Sequence, residues 1–328
     1  MRRSSKSIGR PPRLIVVVDT EHEFDWSASF DRTKSGVGHM CYLNRVQSLC
    51  ERWHIRPVYV IDYPVASQDS ALAVLRPLLQ QDRAMVGAHL HPWVSPPFEE
   101  ELNSHNSFPG NLPPALERAK LSGLCERIVA GLGEQPRIYK AGRYGIGSDS
   151  FAILEELGFA VDLSPSPPFD YRAAGGPDFS HRGLAPEWVG PHRSVLSIPG
   201  TGALIGWIPS VRLYRLATDA RLARLRLPAI FARLGILERM RLSPEGQSAA
   251  DMQRLVRWLQ GRGQDLFVLS LHSPSVEPGH TSYVRSESDL ANFLAALEGF
   301  LHFFMTTFGG VATDPLAVRA ELMARHGA

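Results

Sequence analysis

An acidic segment directly follows an aliphatic run near the start of the chain. Asp19 comes after Ile15-Val16-Val17-Val18, and Glu21, His22, Glu23 and Asp25 follow within six residues. A carboxylate at the end of a buried run is costly unless it is paired with a cation or bound to a metal. Asp19 is therefore a candidate for a buried ion pair or for a metal site.

Two histidines two residues apart follow another apolar run, in Gly87-Ala88-His89-Leu90-His91-Pro92-Trp93. In an extended backbone, residues two apart point to the same side with Cα atoms about 6.5 Å apart. Two imidazoles at that spacing can close on one metal ion at about 2.0–2.1 Å. His89 and His91 are therefore candidate metal ligands, and Trp93 is a candidate for stacking on a substrate or for packing.

Further polar side chains end three more apolar runs. His272 follows Leu269-Ser270-Leu271, and its side chain titrates near neutrality. Lys140, Arg143 and Tyr144 end one run and Asp162 ends the next, so a cation and a carboxylate could pair there. A purely structural salt bridge is the alternative for that pair.

The elements that would position these residues are short, β-branched apolar runs alternating with helix-like stretches. Runs with so little polar alternation are typical of strands buried on both faces of a parallel sheet. The seven predicted strands are Leu14–Asp19, Pro57–Asp62, Met85–His91, Arg137–Gly142, Phe159–Ser164, Ser194–Pro199 and Leu266–His272. The predicted helices are Leu43–His54, Ala71–Gln81, Leu112–Leu132, Asp149–Leu157 and Ala249–Arg262. This order predicts an α/β barrel of parallel strands, whose active site would lie at the carboxyl ends of the strands.

Three segments interrupt this alternation of strands and helices. Ser95–Pro114 and Ser164–Pro191 are rich in proline and polar residues and predict long loops. Val211–Met240 predicts a helical insertion before the last strand, with Leu and Arg at helical spacing. We expect that insertion to make an oligomer contact or a weak membrane-surface contact. Residues 1–13 predict a flexible basic tail, and residues 14–328 a single barrel domain.

The composition excludes several classes of function. The net charge is +2, from 35 basic and 33 acidic residues, so no nucleic-acid partner is expected. Neither a secretory leader nor a membrane span was found. Cys41, Cys50 and Cys125 are odd in number and have no paired-ligand spacing, which favours reduced thiols over a disulfide framework. We expect a cytoplasmic protein.

The order of these motifs resembles that of the polysaccharide deacetylases, the NodB-homology group of carbohydrate esterase family 4. The resemblance extends from about Leu14 to Ser275 and includes the acidic strand end, the histidine pair and the final Leu-Ser-Leu-His. It implies a distorted seven-stranded (β/α) barrel with a divalent metal held by one carboxylate and two histidines. The metal expected first is zinc, with cobalt, nickel, manganese and iron as alternatives.

The resemblance also implies residue roles. Asp19 resembles the catalytic base and His272 the general acid. Thr20 stands where the family has a metal-binding Asp, so Glu21 is the expected carboxylate ligand, with another acid of 21–25 as the alternative. His89 and His91 resemble the two histidine ligands of the metal. Lys140 or Arg143, beside Tyr144, would orient the base, and Asp162 would support that cation. Leu269 and Leu271 resemble the residues that line the acyl pocket.

The expected function is therefore the removal of an N-linked or O-linked acyl group, acetyl first, from an amino sugar or glycan precursor. Another amide, such as a formyl group or a cyclic imide, is an alternative substrate on the same barrel. Two histidines and one carboxylate are also the ligand set of mononuclear iron oxygenases, and a non-catalytic glycan-binding barrel is a further alternative.

Overall fold

The computed structural model describes residues 10–24 and 28–326, and these contain the following strands. They are β1 (Arg13–Thr20), β2 (Val58–Ile61), β3 (Met85–Leu90), β4 (Ile138–Ala141), β5 (Val161–Asp162), β6 (Glu187–Val189), β7 (Val195–Ser197), β8 (Gly202–Ile205), β9 (Glu238–Arg241), β10 (Leu266–His272) and β11 (Val311–Ala312).

The centre of the fold is one curled sheet. Its strand order is β10-β1-β2-β3-β4-β5-β7-β6, and β11 also pairs with β1. The neighbours from β10 to β7 are all parallel, whereas β6 pairs antiparallel with β7. Each of the seven apolar runs contributes one of these parallel strands. The hairpin of β8 and β9 lies beside β10, where Thr201 N donates to Val268 O over 3.2 Å and Ser270 N to Leu242 O over 3.1 Å. The predicted α/β class with a curled parallel sheet is confirmed.

Helices cover the outer face of this sheet and follow the strands in sequence. They are α1 (Asn44–Glu51), α2 (Tyr63–Ser67), α3 (Asp69–Gln80), α4 (Pro114–Leu132), α5 (Ser150–Glu156), α6 (Val211–Ala217), α7 (Leu227–Arg233), α8 (Ala249–Gln260), α9 (Glu287–His302) and α10 (Pro315–His326). Capping boxes begin α8 at Ser248 with Asp251 and α9 at Ser286 with Asp289. In each, the serine hydroxyl accepts from the backbone of the third helical residue, which satisfies a backbone donor at the helix start.

Strand alternation divides the apolar side chains between two cores. Val17 of β1 and Val60 of β2 point into the curled sheet with Ile138 of β4. Val18 and Tyr139 point outward to the helices. Because successive residues of a strand face opposite sides, the side on which a polar residue emerges is fixed by its position in this alternation.

The structure differs from the sequence-based expectations at several boundaries. The segment 211–240 is helical only as far as Arg233, since Glu238 begins strand β9. Residues 1–9 of the predicted tail lie outside the described part of the chain, whereas Arg13 begins β1 and pairs with Asp265 and Glu321. Arg13 is therefore held against the domain rather than being part of a tail.

The helical stretch Glu287–Thr307, which the sequence interpretation did not single out, is long and apolar enough to cross a membrane by length and composition. Its side chains Leu290, Phe293, Leu297 and Phe300 are buried against the sheet's outer face. That burial is typical of the core helix of a globular domain.

Candidate functional site

A cavity of about 270 Å³ opens at the carboxyl ends of the parallel strands. It is lined by Asp19, Glu21, Phe24, His89, His91, Phe108, Ala141, Arg143, Tyr144, Tyr171, Arg241, His272, Pro274, His280, Thr281, Ser282 and Tyr283. Phe108 comes from the predicted loop 95–114, and Tyr171 from the loop 164–191. The pocket therefore combines strand ends with the two long loops, at the edge where parallel βα folds bind ligands.

Glu21, His89 and His91 converge on one point of this pocket. The Oε2 atom of Glu21 lies 3.4 Å from His89 Nε2 and 3.3 Å from His91 Nε2, and all three residues are buried. Two ligands on a tetrahedral ion at about 2.0–2.1 Å are about 3.4 Å apart. The spacing of these donor atoms therefore fits a metal ion with one carboxylate and two imidazole ligands.

The hydrogen bonds of the histidines also fit a metal. His89 Nδ1 lies 2.7 Å from the carbonyl oxygen of Lys140 and can only donate to it, so its Nε2 carries a lone pair toward Glu21. Burial is the main cause that holds the pKa of His91 well below its usual value, and the nearby Arg143 guanidinium acts in the same direction. A neutral imidazole is the form that binds a metal.

The ring of His91 is held by its neighbours on two sides. Trp93 stacks on it with ring centroids 4.5 Å apart, and a side chain at Gly142 would stand 2.0 Å from His91 Cδ2. Glycine at 142 is thus required by the close approach of the imidazole. Trp93 is 1% exposed and does not line the pocket, so the expected stacking of Trp93 on a substrate is wrong. Its position against His91 and Phe24 leaves no face for a sugar.

A second buried pair lies beside this point. Asp62 accepts from the backbone N and from Nδ1 of His22 at 2.8 and 2.7 Å, and its Oδ2 lies 3.8 Å from His91 Nδ1. Sequence reasoning singled out neither residue, although Asp62 ends a predicted strand as Asp19 does. Of the other acids considered as ligands, Glu23 accepts from His39, and Asp25 lies outside the described residues.

Asp19 is buried and is bound by a single cation. Both of its carboxylate oxygens lie 2.6 Å from Lys140 Nζ. Burial alone would raise the pKa of Asp19, but the Lys140 ammonium and the nearby His89 and His272 outweigh it, and the pKa falls below its usual value. Asp19 is therefore held as a carboxylate next to the metal-ligand group.

Of the two cations expected near Asp19, the structure brings only Lys140 into contact with it. Arg143 donates to Ser107 Oγ and lies over the Phe108 ring at 4.1 Å. Arg143 and Tyr144 both have left-handed backbones, with φ of 55° and 60°. Two such residues in succession cost about 1–3 kcal/mol each, and strain of this kind is concentrated at functional sites. The strained turn directs both side chains into the pocket.

His272 faces Asp19 across the pocket and is held from behind by Glu245. Its Nε2 lies 3.7 Å from Asp19 Oδ2, and its Nδ1 lies 2.8 Å from Glu245 Oε2. Burial would lower the pKa of His272, but the carboxylates of Glu245, Glu21 and Asp19 outweigh it and raise the pKa to about 10. His272 is therefore an imidazolium at neutral pH and can supply a proton.

Glu245 was missed by sequence reasoning. It stands 27 residues before His272 and follows Leu242-Ser243-Pro244 after β9. The only signal was an acid closing a short apolar stretch, which is common at surfaces. The pairing depends on the β8–β9 hairpin lying beside β10, which no local pattern specifies.

The expected support of Lys140 by Asp162 is wrong. Asp162 pairs in register with Tyr139, so its side chain points to the outer face, whereas Lys140, one residue on, points inward. Asp162 instead accepts from Ser197 Oγ at 2.9 Å and from the backbone N of Ser164 at 3.0 Å. It is a buried structural acid of the helix-facing layer.

The expected acyl-pocket role of Leu269 and Leu271 is also wrong. Both are fully buried in the outer core, and neither lines the cavity. In β10, Ser270 and His272 take the inward positions, and the two leucines alternate with them. Apolar lining comes instead from Phe24, Phe108 and Ala141.

No protein-family model and no curated protein matches the chain by sequence. Among solved structures, a provisionally named polysaccharide deacetylase from Mycobacterium smegmatis is 14% identical, with a TM-score of 0.55 over 99% of this chain and 96% of that one. The Puue allantoinase is 15% identical, with a TM-score of 0.55 over 96% and 91% of the two chains. A carbohydrate esterase family 4 pseudoenzyme from Bacillus anthracis is 9% identical, with a TM-score of 0.48 over 94% and 66%.

These likenesses cover nearly the whole chain at low sequence identity, so they concern the fold. They agree with the resemblance stated from the sequence motifs. The chain shares the fold of the polysaccharide deacetylases.

Proposed function

We propose that the protein is a metal-dependent hydrolase that removes an acyl group, acetyl first, from an amino sugar or glycan precursor. The observation that carries this proposal is the convergence of Glu21, His89 and His91 between Asp19 and His272 in one pocket. A metal-ligand set, a carboxylate base and a cationic acid are the groups that metal-assisted amide hydrolysis needs.

The ligand set fits zinc first, with cobalt, nickel, manganese or iron as alternatives, since imidazole and carboxylate ligands suit all of them. A metal held there supplies Lewis-acid polarisation of the acyl carbonyl and a water of lowered pKa. Ligand orientation comes from the chain itself, through the His89–Lys140 hydrogen bond and the Trp93–His91 stack.

In the proposed reaction, a carboxylate oxygen of Asp19 accepts the proton of the attacking water. Lys140 contacts both oxygens of Asp19, which keeps the carboxylate ionised and fixed in direction. Burial excludes bulk water from this ion pair and strengthens it.

His272 then donates the proton on its Nε2 to the departing amine nitrogen. Without that proton the tetrahedral intermediate would expel the water again. Glu245 binds Nδ1 and directs Nε2 toward the Asp19 side of the pocket. Glu245 is thus a positioning residue, while Asp19 and His272 touch the reacting atoms.

A second candidate is hydrolysis of a cyclic amide on the same groups. The likeness to the Puue allantoinase has the same TM-score as the likeness to the M. smegmatis protein and supports this alternative equally at the level of fold. The apolar part of the pocket lining, from Phe24, Phe108 and Ala141, is compatible with a small planar substrate.

The test is metal analysis of the purified protein followed by a screen on N-acetylated sugars, N-formyl sugars, allantoin and cyclic imides. Acetate release from an amino sugar supports the first candidate, and ring opening supports the second. Oxygen uptake with bound iron would replace both with an oxygenase. Sugar binding with no product from any substrate would indicate a non-catalytic glycan-binding barrel.

The metal assignment has its own variants. His89→Ala and His91→Ala should each lower bound metal below half of the wild-type content and abolish turnover, because each removes one of three ligands. His192→Ala is the matched control, since His192 is exposed and far from the pocket lining. Full metal content in both ligand variants would overturn the assignment.

We further propose that the substrate is a soluble or lipid-linked precursor met in the cytoplasm. The test compares acetate release from nucleotide-linked sugars, lipid-linked intermediates and polymeric chitin or peptidoglycan, together with fractionation of expressing cells. Deacetylation of polymer alone, or export of the protein, would contradict this proposal.

A further inference from the structure

Two charged groups that line the pocket, Asp19 and His272, each have a partner of opposite charge. Lys140 neutralises Asp19, and Glu245 neutralises His272. Arg241 also lines the pocket, but no ion pair within the described residues includes it. The nearest acid in sequence, Glu245, already accepts from the backbone N and Nδ1 of His272 and from Ser275 Oγ.

The guanidinium of Arg241 is held rigidly by neutral groups. Nη1 donates to Tyr144 Oη at 2.9 Å, and Nη2 donates to Tyr171 Oη at 2.6 Å and to Ser166 Oγ at 3.1 Å. Its Cζ lies 4.1 Å from the Phe169 ring centroid and 4.7 Å from that of Tyr144. A guanidinium has five N–H donors, and these contacts use three.

One of the two remaining donors, Nε, is in a desolvated position. Nε of Arg241 is buried and has no hydrogen-bond partner among the described residues. Glu245 lies near enough to raise the pKa of Arg241, but it makes no ion pair with the guanidinium, and its oxygens are bound by His272 and Ser275. A buried cation that no carboxylate contacts directly is costly, and it is retained where a ligand supplies the opposite charge. The Phe169 and Tyr144 rings and the three hydrogen bonds hold the guanidinium in place at the pocket wall.

We propose that Arg241 forms a subsite for an anionic group on the substrate, a carboxylate or a phosphate. This inference rests on the proposed function for the identity of the rest of the substrate, which would be an acylated amino sugar with an acidic substituent. An acylated uronic acid and a sugar phosphate share this chemistry, and guanidinium groups bind both anions.

Binding is tested first, without turnover. Inorganic phosphate and glucuronate are titrated by calorimetry into wild-type protein, Arg241→Gln, Arg241→Lys and Arg239→Gln. Arg239 is the matched control, since it lies on the same strand and stacks on the same Phe169 ring but does not line the pocket. Wild type and R239Q should bind, whereas R241Q should bind about tenfold to a hundredfold more weakly, the effect of one charged hydrogen bond.

Arg241→Lys distinguishes charge from structure. It keeps the cation but loses the planar geometry, so anion affinity should fall less than in R241Q while circular dichroism stays unchanged. Equal affinity in wild type, R241K and R241Q, or no anion binding in wild type, would overturn the subsite. Preference for phosphate over glucuronate, or the reverse, identifies which anion the substrate carries.

Kinetics then separate this inference from the proposed function. KM is compared for N-acetylglucosamine, its 6-phosphate and an N-acetylated aminouronic acid. In R241Q, KM for the charged substrates should rise at least tenfold more than KM for the neutral sugar. Equal KM values for charged and neutral sugars in wild type would refute the subsite. Anion binding by wild type with no turnover of any substrate would refute the proposed hydrolase and support the subsite.

A second inference comes from the segment 207–234, which carries exposed apolar side chains. Trp207 is 86% exposed and Leu234 is 61% exposed. The full set, which we name the insertion surface, is Trp207, Ile208, Leu216, Leu225, Ile230 and Leu234. Scattered exposed apolar residues are ordinary, but six within one short insertion indicate a surface that binds a partner or a membrane.

The charge of the same segment is strongly positive. The segment contains one acid, Asp219, and six arginines, a net charge of +5; the arginines are Arg212, Arg215, Arg221, Arg224, Arg226 and Arg233. Arg215 pairs with Asp170 and Asp178 outside the segment, which leaves the other five for contact with an anionic surface. The whole chain has a net charge of +2, so the remainder carries −3. Exposed apolar residues interleaved with arginines match the interface of an anionic lipid bilayer.

We propose that the insertion surface binds anionic lipid headgroups reversibly. The apolar side chains would enter the boundary of the acyl chains while the arginines contact the headgroups. A copy of the same chain is the alternative occupant, but two surfaces of charge +5 would repel each other across an interface.

The test is co-sedimentation of the full chain with vesicles of phosphatidylcholine alone or with phosphatidylglycerol added. Binding should require phosphatidylglycerol and weaken with salt. Arg221→Glu and Arg224→Glu should each lower the partition coefficient at least about fivefold, and Trp207→Ser should also lower it. Met323→Ser is the matched control, being 48% exposed on α10. Equal binding to neutral vesicles, no binding, or a dimer by light scattering without vesicle binding would overturn the proposal.

Discussion

Asp19 and Asp162 are buried acids at the carboxyl ends of two strands of one sheet, β1 and β5, yet their surroundings are opposite. Asp19 points into the curled sheet, contacts Lys140, and has a lowered pKa. Asp162 points toward the helices and contacts only neutral donors, and burial raises its pKa to about 6. The comparison shows that the side of the sheet, rather than the residue type or its place at a strand end, decides whether a buried acid is an ionised group of the pocket or a group of the helix-facing layer.

The largest effect on stability is expected when the ion pair between Asp19 and Lys140 is broken. Lys140→Met removes the cation that contacts both oxygens of Asp19 and leaves only His272, at 3.7 Å, near the buried carboxylate. This should lower the free energy of unfolding by about 3 kcal/mol. The double variant Asp19→Asn, Lys140→Met should recover most of this loss, since no charge is left unpaired. Urea unfolding at neutral pH measures both. A double variant no more stable than K140M would show that the pair is not coupled.

The next effect concerns the proton on His272. Glu245→Gln removes the carboxylate that raises the pKa of His272, so that pKa should fall from about 10 toward its ordinary value. The imidazolium would then be lost at lower pH, and the basic limb of the kcat profile should move to lower pH, with kcat at pH 8 reduced at least tenfold. Glu245→Asp should restore part of the shift. A profile unchanged in E245Q would exclude the positioning role.

A smaller effect, on the pH dependence of stability, is expected for Asp162, which faces the helices. Because the pKa of Asp162 is raised to about 6 in the folded chain, the unfolded chain loses this proton at lower pH. Its contribution to stability is present at low pH and is lost as pH rises from about 4 to about 6, by up to about 3 kcal/mol. Asp162→Asn should abolish this pH dependence and leave kcat unchanged. Stability of D162N that still falls over this interval as in wild type would contradict the assignment, and a large loss of kcat would place Asp162 in the catalytic group.

The smallest effect is expected for a leucine of the outer layer. Leu271→Met conserves volume in a buried apolar site and should cost less than about 1.5 kcal/mol, with the ratio of acetyl to propionyl hydrolysis unchanged. Calorimetric melting and a two-substrate assay measure these quantities. A changed ratio of acetyl to propionyl hydrolysis would show that Leu271 contacts the substrate, and would contradict its assignment to the helix-facing side of the sheet.

The sequence alone was sufficient for the seven parallel strands and for most of the inner polar groups. Aliphatic runs such as Ile15–Val18 can only be strands buried on both sides, and acids or histidines that directly follow them must meet at one edge of a parallel sheet. The pairs His89 with His91 and Asp19 with His272 followed from that rule, because the chemistry of an isolated carboxylate or imidazole there requires a partner.

The tertiary structure decided which groups are partners. Alternation within β5 and β10 turned Asp162, Leu269 and Leu271 outward, and a shift of one residue in register would have reversed each of them. The contact of Glu245 with His272 joins the hairpin end to β10, and Arg241 reaches Tyr144 across 97 residues. Such contacts depend on how distant segments pack, so no local pattern of residues could specify them.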